Sequence, residues 1–343
     1  MVILGSLRLW VAVMSTLALV AGAAAASAPN ASRTAVGEIA FSVHHGDGDA
    51  PWDIYVVRTD GRWVVKKTTR RLDEGDPVWS PDGRHIAFEG WTDHSGANAW
   101  IYTMNPDGTH RRRLAPGHVP QWSPDGRRIA YDNHGIYIMN ADGTGKKRLA
   151  RGVDPRWSPD GKQLAFTHGP NGDLYVMNAG GGNERRLTRN GDNELGAWAP
   201  GHKIVFAHSA INGAGPASGI YIINADGTGL RRVTQTSDYD TPSIGGWSPD
   251  GKLILYAAGH GISTWRLSDG SVRRLRRSAD WNPTWGPGGR QIAFTRSIYD
   301  VNREPGLWIV NRDGSGARRI AGLVNPYPHL NPDEYFAPTW APR

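Results

Sequence analysis

The stretch Trp157-Ser158-Pro159-Asp160-Gly161 decides the fold, together with the apolar Leu164-Ala165-Phe166 that follows it. The serine opens a tight turn, the proline fixes φ at the second position, the aspartate tolerates the third, and the glycine takes the positive φ that closes the turn. A β-strand should therefore end at the tryptophan, and an antiparallel strand should begin near the Leu-Ala-Phe triplet. The stretch predicts a β-hairpin.

The same pattern recurs along the chain. Further copies of the Trp-Ser-Pro-Asp-Gly stretch lie at Trp79–Gly83, Trp122–Gly126 and Trp247–Gly251, with weaker copies at Trp198–Gly201 and Trp285–Gly289. These six tryptophans and a seventh, Trp340, follow one another at intervals of 35 to 55 residues. The intervals straddle the period of about 40–45 residues expected for the blades of a β-propeller. The sequence therefore predicts a repeat protein whose neighbouring units share their cores.

Each unit continues with two more strands. Examples are the Ile-Tyr strand Ile136–Met139, the turn Asn140-Ala141-Asp142-Gly143 and the basic strand Lys147-Arg148-Leu149. The first unit starts at Glu38 without a tryptophan strand, and Pro338-Thr339-Trp340 supplies a tryptophan strand without the other three. We therefore predict an all-β fold, a seven-bladed β-propeller of four-stranded blades. The C-terminal strand should close the ring by pairing with the N-terminal blade.

The N-terminal segment has the features of an export signal. Residues 1–28 contain one charge at Arg8, a short apolar run and the small residues Ala24-Ala25-Ala26, which is the pattern of a secretory signal peptide. An uncleaved membrane anchor is the alternative, but the run is short for a span of about 20 residues. Residues 29–37 would then form a linker and residues 38–343 the propeller. We expect a secreted or periplasmic (cell-envelope) protein with no stable membrane span after cleavage.

The composition excludes several kinds of functional site. The chain of 343 residues contains no cysteine, so a disulfide framework, a thiol nucleophile and a thiolate metal site are excluded. Its formal net charge is +7, and the placement of that charge matters more than the sum. No Gly-x-Ser-x-Gly, phosphate-loop or His-Glu-x-x-His motif is present, so no motif indicates an enzyme class.

The repeated phrases resemble those of the TolB-like β-propellers, also called WD-like repeats, over Glu38 to Arg343. Members of this family occur in bacterial envelope proteins and beside the hydrolase domain of dipeptidyl peptidase IV relatives. The resemblance implies the propeller fold. It implies no particular activity, because the shared residues build turns and cores.

Candidate binding residues lie on the face opposite the tight turns, because its loops are long and varied. A histidine follows the Ile-Ala-Phe strand in six units, at His44 (or His45), His94, His134, His168, His208 and His260. The loops before the tryptophans add carboxylates, chiefly Asp76, Asp154 and Asp280, with Asp192 and Glu194 nearby. Imidazoles among carboxylates can bind a divalent metal, a saccharide or another small ligand. The alternative is that the repeat places a polar loop residue in each blade, with the imidazoles too far apart to share an ion. We expect no cofactor, and a divalent metal is the less favoured alternative.

Two interpretations of the basic fourth strands stay open. Charged side chains on an exposed edge discourage strand addition, and a belt of arginines could also bind anionic polymer or lipid headgroups. We expect a monomeric, non-enzymatic scaffold that binds a protein in the envelope or extracellular space, with a glycan as second choice and no nucleic acid. The alternative function is a lyase or hydrolase acting on a saccharide or small molecule at the propeller mouth.

Overall fold

The computed structural model describes residues 37–44, 52–61, 64–66, 68, 72–92, 98–169, 172–189, 191–209, 217–236, 242–259, 261–277, 280–296, 306–322 and 338–342. Every regular element in these ranges is a β-strand. The described residues contain no helix long and apolar enough to cross a membrane. The proposed signal peptide and linker lie almost wholly outside the described residues, so they stay predictions.

The strands fall into seven blades, here numbered in chain order. Blade 1 contains β1 (Glu38–His44), β2 (Trp52–Arg58) and β3 (Val64–Lys66). Blade 2 contains β4 (Asp73–Trp79), β5 (Ile86–Trp91), β6 (Trp100–Met104) and β7 (Arg112–Pro116). Blade 3 contains β8 (His118–Trp122), β9 (Arg128–Asp132), β10 (Ile136–Asn140) and β11 (Lys147–Ala150). Blade 4 contains β12 (Val153–Trp157), β13 (Gln163–His168), β14 (Asp173–Asn178) and β15 (Arg185–Arg186).

The remaining blades repeat this plan. Blade 5 contains β16 (Asn193–Ala199), β17 (Lys203–His208), β18 (Gly219–Asn224) and β19 (Arg231–Gln235). Blade 6 contains β20 (Ser243–Trp247), β21 (Leu253–Ala258), β22 (Gly261–Arg266) and β23 (Val272–Arg274). Blade 7 contains β24 (Asp280–Trp285), β25 (Gln291–Arg296), β26 (Gly306–Asn311) and β27 (Arg318–Gly322). The last strand is β28 (Thr339–Trp340).

The ring is closed by the two ends of the chain, as the sequence predicts. Each blade is a four-stranded antiparallel sheet, and blade 1 has the order β28-β1-β2-β3. Ile39 pairs with Trp340 and Ala40 with Thr339. The tryptophan strands contact one another in ring order, and β28 contacts both β24 and β4. These strands therefore form the innermost layer of a seven-bladed β-propeller.

The tight turns have the predicted geometry. In the turn of blade 4, the N–H of Gly161 donates to the carbonyl of Ser158 at 2.9 Å, and the glycine has φ 68°. The Ser158 hydroxyl donates to Asp160 Oδ1 at 2.7 Å. In the Asn140-Ala141-Asp142-Gly143 turn between the third and fourth strands of blade 3, the N–H and hydroxyl of Thr144 both donate to Asp142 Oδ1. These bonds lower the pKa of Asp142. Both kinds of turn lie on one face of the disc, which we call the turn face; the opposite side is the loop face.

The core lies between the blades. Seven apolar clusters are each built by two neighbouring blades. In one of them, Trp157 of blade 4 packs with Ile136 and Ile138 of blade 3. Within a blade, aromatic residues pair across the second and third strands, as Phe166 and Tyr175 do with ring centroids 5.7 Å apart. Each repeat thus packs its tryptophan against the preceding blade.

The fourth strands contribute contacts that neither sequence interpretation anticipated. The first basic residue of the pair reaches the third-to-fourth strand turn of the next blade and donates to a carbonyl there. Such bonds join Arg112 to Asp142 (3.4 Å), Lys147 to Gly180 (2.8 Å), Arg273 to Asp313 (2.9 Å) and Arg318 to Thr59. These residues therefore also link neighbouring blades at the rim.

Candidate functional site

A bulge in the innermost strands positions the site. The bulged residue lies three positions before the tryptophan and directly before a proline in blades 2, 3, 4 and 7. It is Asp76, Val119, Asp154 or Asn282, and its φ lies between 49° and 55°. The pairing with the second strand slips at the same place in each of these blades. A bulge re-aims the side chain relative to strand alternation, and in blades 2 and 4 that side chain is a carboxylate.

Charged side chains gather around these bulges on four consecutive blades. We call this group the charged arc; its members are Asp76, Glu89, His118, Asp132, Asp154, Arg156 and Glu194. Glu89, Asp132 and Arg156 are buried, and the other four are partly exposed. Each member interacts electrostatically with others across blade boundaries, as Arg156 does with Asp76, Asp132 and Glu194. The arc lies on the loop-face side of the ring's centre.

Hydrogen bonds join the arc from one blade to the next. Glu89 of blade 2 accepts a hydrogen bond from the bulged Val119 N–H of blade 3 at 2.5 Å. Its other oxygen lies 3.2 Å from Nδ1 of His118. Asp132 of blade 3 likewise accepts from the N–H of Asp154 in blade 4 at 3.1 Å. In blades 2 and 3 a carboxylate of the second strand therefore accepts a hydrogen bond from the bulge of the following blade.

Arg156 is the central cation of the arc. Its side chain is 4% exposed, and its one hydrogen bond to a described residue goes to the Pro155 carbonyl at 3.4 Å. Its Nε has no hydrogen-bond partner among the described residues. Burial lowers the pKa of the guanidinium, while Asp154, Asp76 and Glu194 oppose that shift. The guanidinium therefore carries an unsatisfied donor that is shielded from solvent, which costs free energy.

Three carboxyls of the arc, Asp76, Asp132 and Glu194, have raised pKa values. Burial raises the pKa of Asp76 to about 8, and the neighbouring Glu89 adds to the shift. Burial and Asp154 together raise the pKa values of Asp132 and Glu194 to about 7. The hydrogen bond to Glu89 raises the pKa of His118. The arc contains five carboxyls and two cationic groups, so it has an excess of acidic groups, and burial keeps Asp76, Asp132 and Glu194 partly protonated near neutral pH.

The predicted histidines do not converge in the part of the chain that the structure describes. His134 is exposed in a turn of blade 3, and His168 lies edge-on to Tyr175 in blade 4 at 5.6 Å. His208 is buried in blade 5, with Nδ1 3.0 Å from the Gly191 carbonyl and 3.1 Å from Asn193 Oδ1. Each of these histidines thus contacts its own blade. His94, His260 and the side chain of His44 lie outside the described residues.

Among the predicted carboxylates, Asp76 and Asp154 belong to the charged arc and Asp280 does not. Asp280 is fully buried in blade 7 and forms a bidentate ion pair with Arg296 at 2.7 and 3.2 Å. A pair of this kind satisfies a buried charge internally. In the described ranges, no group of three or more His, Asp or Glu side chains is placed to hold one metal ion. The expectation of no cofactor stays a prediction.

The sequence interpretation missed Glu89, His118, Asp132 and Arg156. A signal for them existed in the repeat itself. The residue after the Ile-Ala-Phe type of strand is acidic in blades 2 and 3, and uncharged elsewhere, at Ser42, Thr167, Ala207, Ala257 and Thr295. Arg156 precedes its tryptophan where the other blades have uncharged residues, at Val78, Gln121, Ala197, Gly246, Thr284 and Thr339. Comparison of equivalent positions across blades would have identified these residues.

Comparison with known proteins agrees with the fold. The family model described as the TolB beta propeller domain matches residues 116–326.

TolB from Acinetobacter baumannii is similar in structure, with a TM-score of 0.57 and 19% identity over 90% of this chain and 69% of that one. An oligogalacturonate lyase in complex with manganese has a TM-score of 0.60 and 15% identity, over 84% and 86% of the two chains. The β-propeller domain of the Trilobed protease from Pyrococcus furiosus has a TM-score of 0.59 and 13% identity, over 84% and 96%. None of the curated proteins matches the chain. At these identities the structural likeness shows the fold alone.

Proposed function

We propose that this chain, which belongs to the TolB beta propeller domain family, is an exported, non-enzymatic scaffold that binds a partner at the charged arc. The observation that carries this proposal is the gathering of seven ionisable side chains on four consecutive blades. A stable core does not need these groups, because burying charge costs free energy. Binding sites keep buried charged groups in spite of this cost in free energy.

The charge of the arc indicates the chemistry of the partner. The acidic excess favours a ligand that brings positive charge. A basic segment of a protein provides this charge through lysine or arginine side chains. We therefore propose a protein partner in the envelope or extracellular space, with a glycan as second choice, and a monomeric scaffold.

A charge-removing variant tests this proposal. Asp154→Asn combined with Glu194→Gln removes two ionisable carboxyls with little change in volume. The matched control is Asp142→Asn combined with Asp226→Asn, which makes the same change in two turns of the turn face. Partners captured from the native host by the mature wild-type domain would be identified, and the dissociation constant of the captured protein measured. We expect the arc variant to bind at least about tenfold more weakly, because charge pairs at interfaces are strongly coupled. Equal binding by wild type and arc variant would contradict the proposal.

A second candidate function rests on the raised pKa values. Carboxyls that titrate near neutral pH, such as Asp132 and Glu194 at about 7, are suited to general acid–base catalysis. This favours a lyase or hydrolase acting on a saccharide at the same mouth. Oligosaccharide cleavage by wild type that Asp132→Asn abolishes would support it. Absence of turnover, together with partner binding, would favour the scaffold.

A further inference from the structure

A strongly basic groove lies between blades 6 and 7 on the turn face, away from the charged arc. It has a volume of about 560 Å³. Five basic side chains line it: Lys252, Arg266, Arg273, Arg290 and Arg312. Asp313 is the one acidic residue among the described residues that line the groove. The groove thus concentrates positive charge at one blade boundary.

Three of its residues depart from the repeat, and hydrogen bonds establish which positions are equivalent. The N–H of Arg266 donates to Ser271, as that of Asn140 does to Thr144, so Arg266 occupies the position of a turn asparagine, as Arg58 does in blade 1. The N–H of Arg312 donates to Arg290, as those of Ala141, Ala179 and Ala225 do to the equivalent carbonyls. The N–H of Gly289 donates to Gly286, as that of Gly161 does to Ser158. Gly288 therefore stands where four other blades have an aspartate, at Asp82, Asp125, Asp160 and Asp250, and where blade 5 also has a glycine, Gly201.

All three departures make the groove more positive. Two add an arginine in place of an uncharged residue, and the third removes a carboxylate. The corresponding groove between blades 4 and 5 has a volume of about 450 Å³ and is lined by Arg185, His202 and Asp226 among other residues. It therefore has none of this charge excess. Because the repeat supplies the same scaffold at both boundaries, the difference is not needed for folding.

The arginines are only partly neutralised by the protein. Arg312 pairs with Asp250 at 2.9 Å and stacks over Trp285 at 5.4 Å. Arg266 lies 3.9 Å from Asp269. Lys252 and Arg290 are exposed, and neither side chain has an ion-pair partner among the described residues. Five cations therefore face three carboxylates in and beside the groove.

We infer that this groove binds a ligand that carries two or more phosphate-type oxyanions. The planar guanidinium group matches the geometry of a phosphate and can donate two parallel hydrogen bonds to it. Cations distributed along a groove of this volume suit several linked anionic groups better than one. The inference goes beyond the proposed scaffold function, because the groove is on the opposite face from the arc. The same chemistry could come from a soluble phosphate polymer or from phospholipid headgroups.

The repeat supplies the test variant. Arg266→Asn combined with Arg312→Ala restores the residues that other blades carry at these positions. The matched control, Arg127→Ala combined with Lys162→Ala, removes two basic side chains from the turn face of blades 3 and 4. Tripolyphosphate binding would be measured by isothermal titration calorimetry at low and at physiological salt. We expect wild type and control to bind, and the repeat-restoring variant to bind at least about tenfold more weakly, because charge-assisted hydrogen bonds are lost.

Arg290→Ala keeps the test valid if the double variant folds poorly. Arg290 lacks an ion-pair partner among the described residues, so its removal should weaken tripolyphosphate binding at an unchanged melting temperature. Sedimentation with phosphatidylglycerol vesicles, using phosphatidylcholine vesicles as the neutral control, distinguishes the two sources. Binding of vesicles that the variants lose identifies a membrane surface, and binding of tripolyphosphate alone identifies a soluble ligand. The inference is overturned if wild type binds neither probe, or if control and test variants lose binding equally.

Discussion

The charged arc of blades 2 to 5 contrasts with the corresponding positions of blades 6, 7 and 1. There the same positions are uncharged, and we call them the neutral arc; they are Ser42, Ser243, Ile244, Gly246, Ala257, Trp281, Asn282, Thr284, Thr295 and Thr339. Both arcs use the same strands, turns and tryptophans. The comparison therefore separates what the propeller needs in order to fold from what one part of it has added.

The contacts of the tryptophans differ between the arcs in the same way. At the three boundaries within blades 2 to 5, the indole N–H donates to a carbonyl of the preceding blade. These bonds join Trp122 to Val78 (3.2 Å), Trp157 to Gln121 (3.1 Å) and Trp198 to Arg156 (3.0 Å). At the other four boundaries, Nε1 of Trp79, Trp247, Trp285 and Trp340 has no partner among the described residues. Extra hydrogen bonds between blades thus accompany the buried charge, and they help to offset its cost.

The largest difference should appear as a pH dependence of stability. Between about pH 4 and pH 8 the folded protein retains protons on Asp76, Asp132 and Glu194 that the unfolded chain has released. The folded state then binds more protons, so the free energy of unfolding should fall as pH rises. Each unit of pKa shift corresponds to about 1.4 kcal/mol. Urea unfolding of the wild type from pH 5 to pH 8 should show this decline, and Asp76→Asn should make the decline smaller, because Asp132 and Glu194 still contribute to it.

The control for the pH experiment is a carboxylate of the turn face. Hydrogen bonds from Thr144 lower the pKa of Asp142, so its contribution is complete above pH 5. Asp142→Asn should leave the slope between pH 5 and pH 8 unchanged. A wild-type midpoint that rises over this range would show that the arc is not stabilised by its protons.

The second difference concerns the two kinds of tryptophan. Trp198 and Trp247 are equally buried, at 7% and 6% exposure, but Trp198 alone has a carbonyl acceptor among the described residues. Trp198→Phe loses a buried hydrogen bond as well as ring volume, whereas Trp247→Phe loses ring volume alone. We expect Trp198→Phe to cost about 1 kcal/mol more, measured by urea unfolding at one pH. Equal costs would mean that the indole bonds do not distinguish the arcs.

Most of the fold follows from the sequence because local chemistry determines it. Each Ser-Pro-Asp-Gly and Asn-x-Asp-Gly turn fixes a hairpin through bonds within a few residues, as Ser158 and Asp160 show. The seven tryptophan strands then fix the number of blades. The pairing of Trp340 with Ile39 follows because each end supplies the strands that the other lacks.

The charged arc was harder to predict from the sequence, because its geometry arises from contacts between blades. Glu89 and Asp132 belong to ordinary second strands, and the residues that they bond lie in the neighbouring blade. The histidines were prominent in sequence because they repeat, but His208 is buried by contacts within blade 5. Residues that repeat in every blade build the scaffold. Residues that break the repeat, such as Arg156, build the charged arc.

The smallest effect compares the bulges themselves. Val119, the bulged residue of blade 3 beside the charged arc, holds a φ of 49° although it is β-branched, and the equivalent Asn282 of the neutral arc has the same φ. Asparagine tolerates this conformation, whereas a β-branched residue is strained in it. Val119→Asn should therefore stabilise the protein by about 0.5–1 kcal/mol. The backbone N–H of residue 119 still donates to Glu89 in this variant, so the bulge is kept.

The reverse substitution, Asn282→Val, should cost more than Val119→Asn gains. It introduces the same strain and also removes the hydrogen bond that Asn282 Oδ1 accepts from the Ser243 hydroxyl at 3.2 Å. Urea midpoints of the two single variants and of the double variant measure this asymmetry, and the sites are in different blades, so their effects should add. If Val119→Asn destabilises the protein instead, contacts of the valine side chain in the arc outweigh its backbone strain. The left-handed bulge would then be determined by the ring around it, and not by the residue that occupies it.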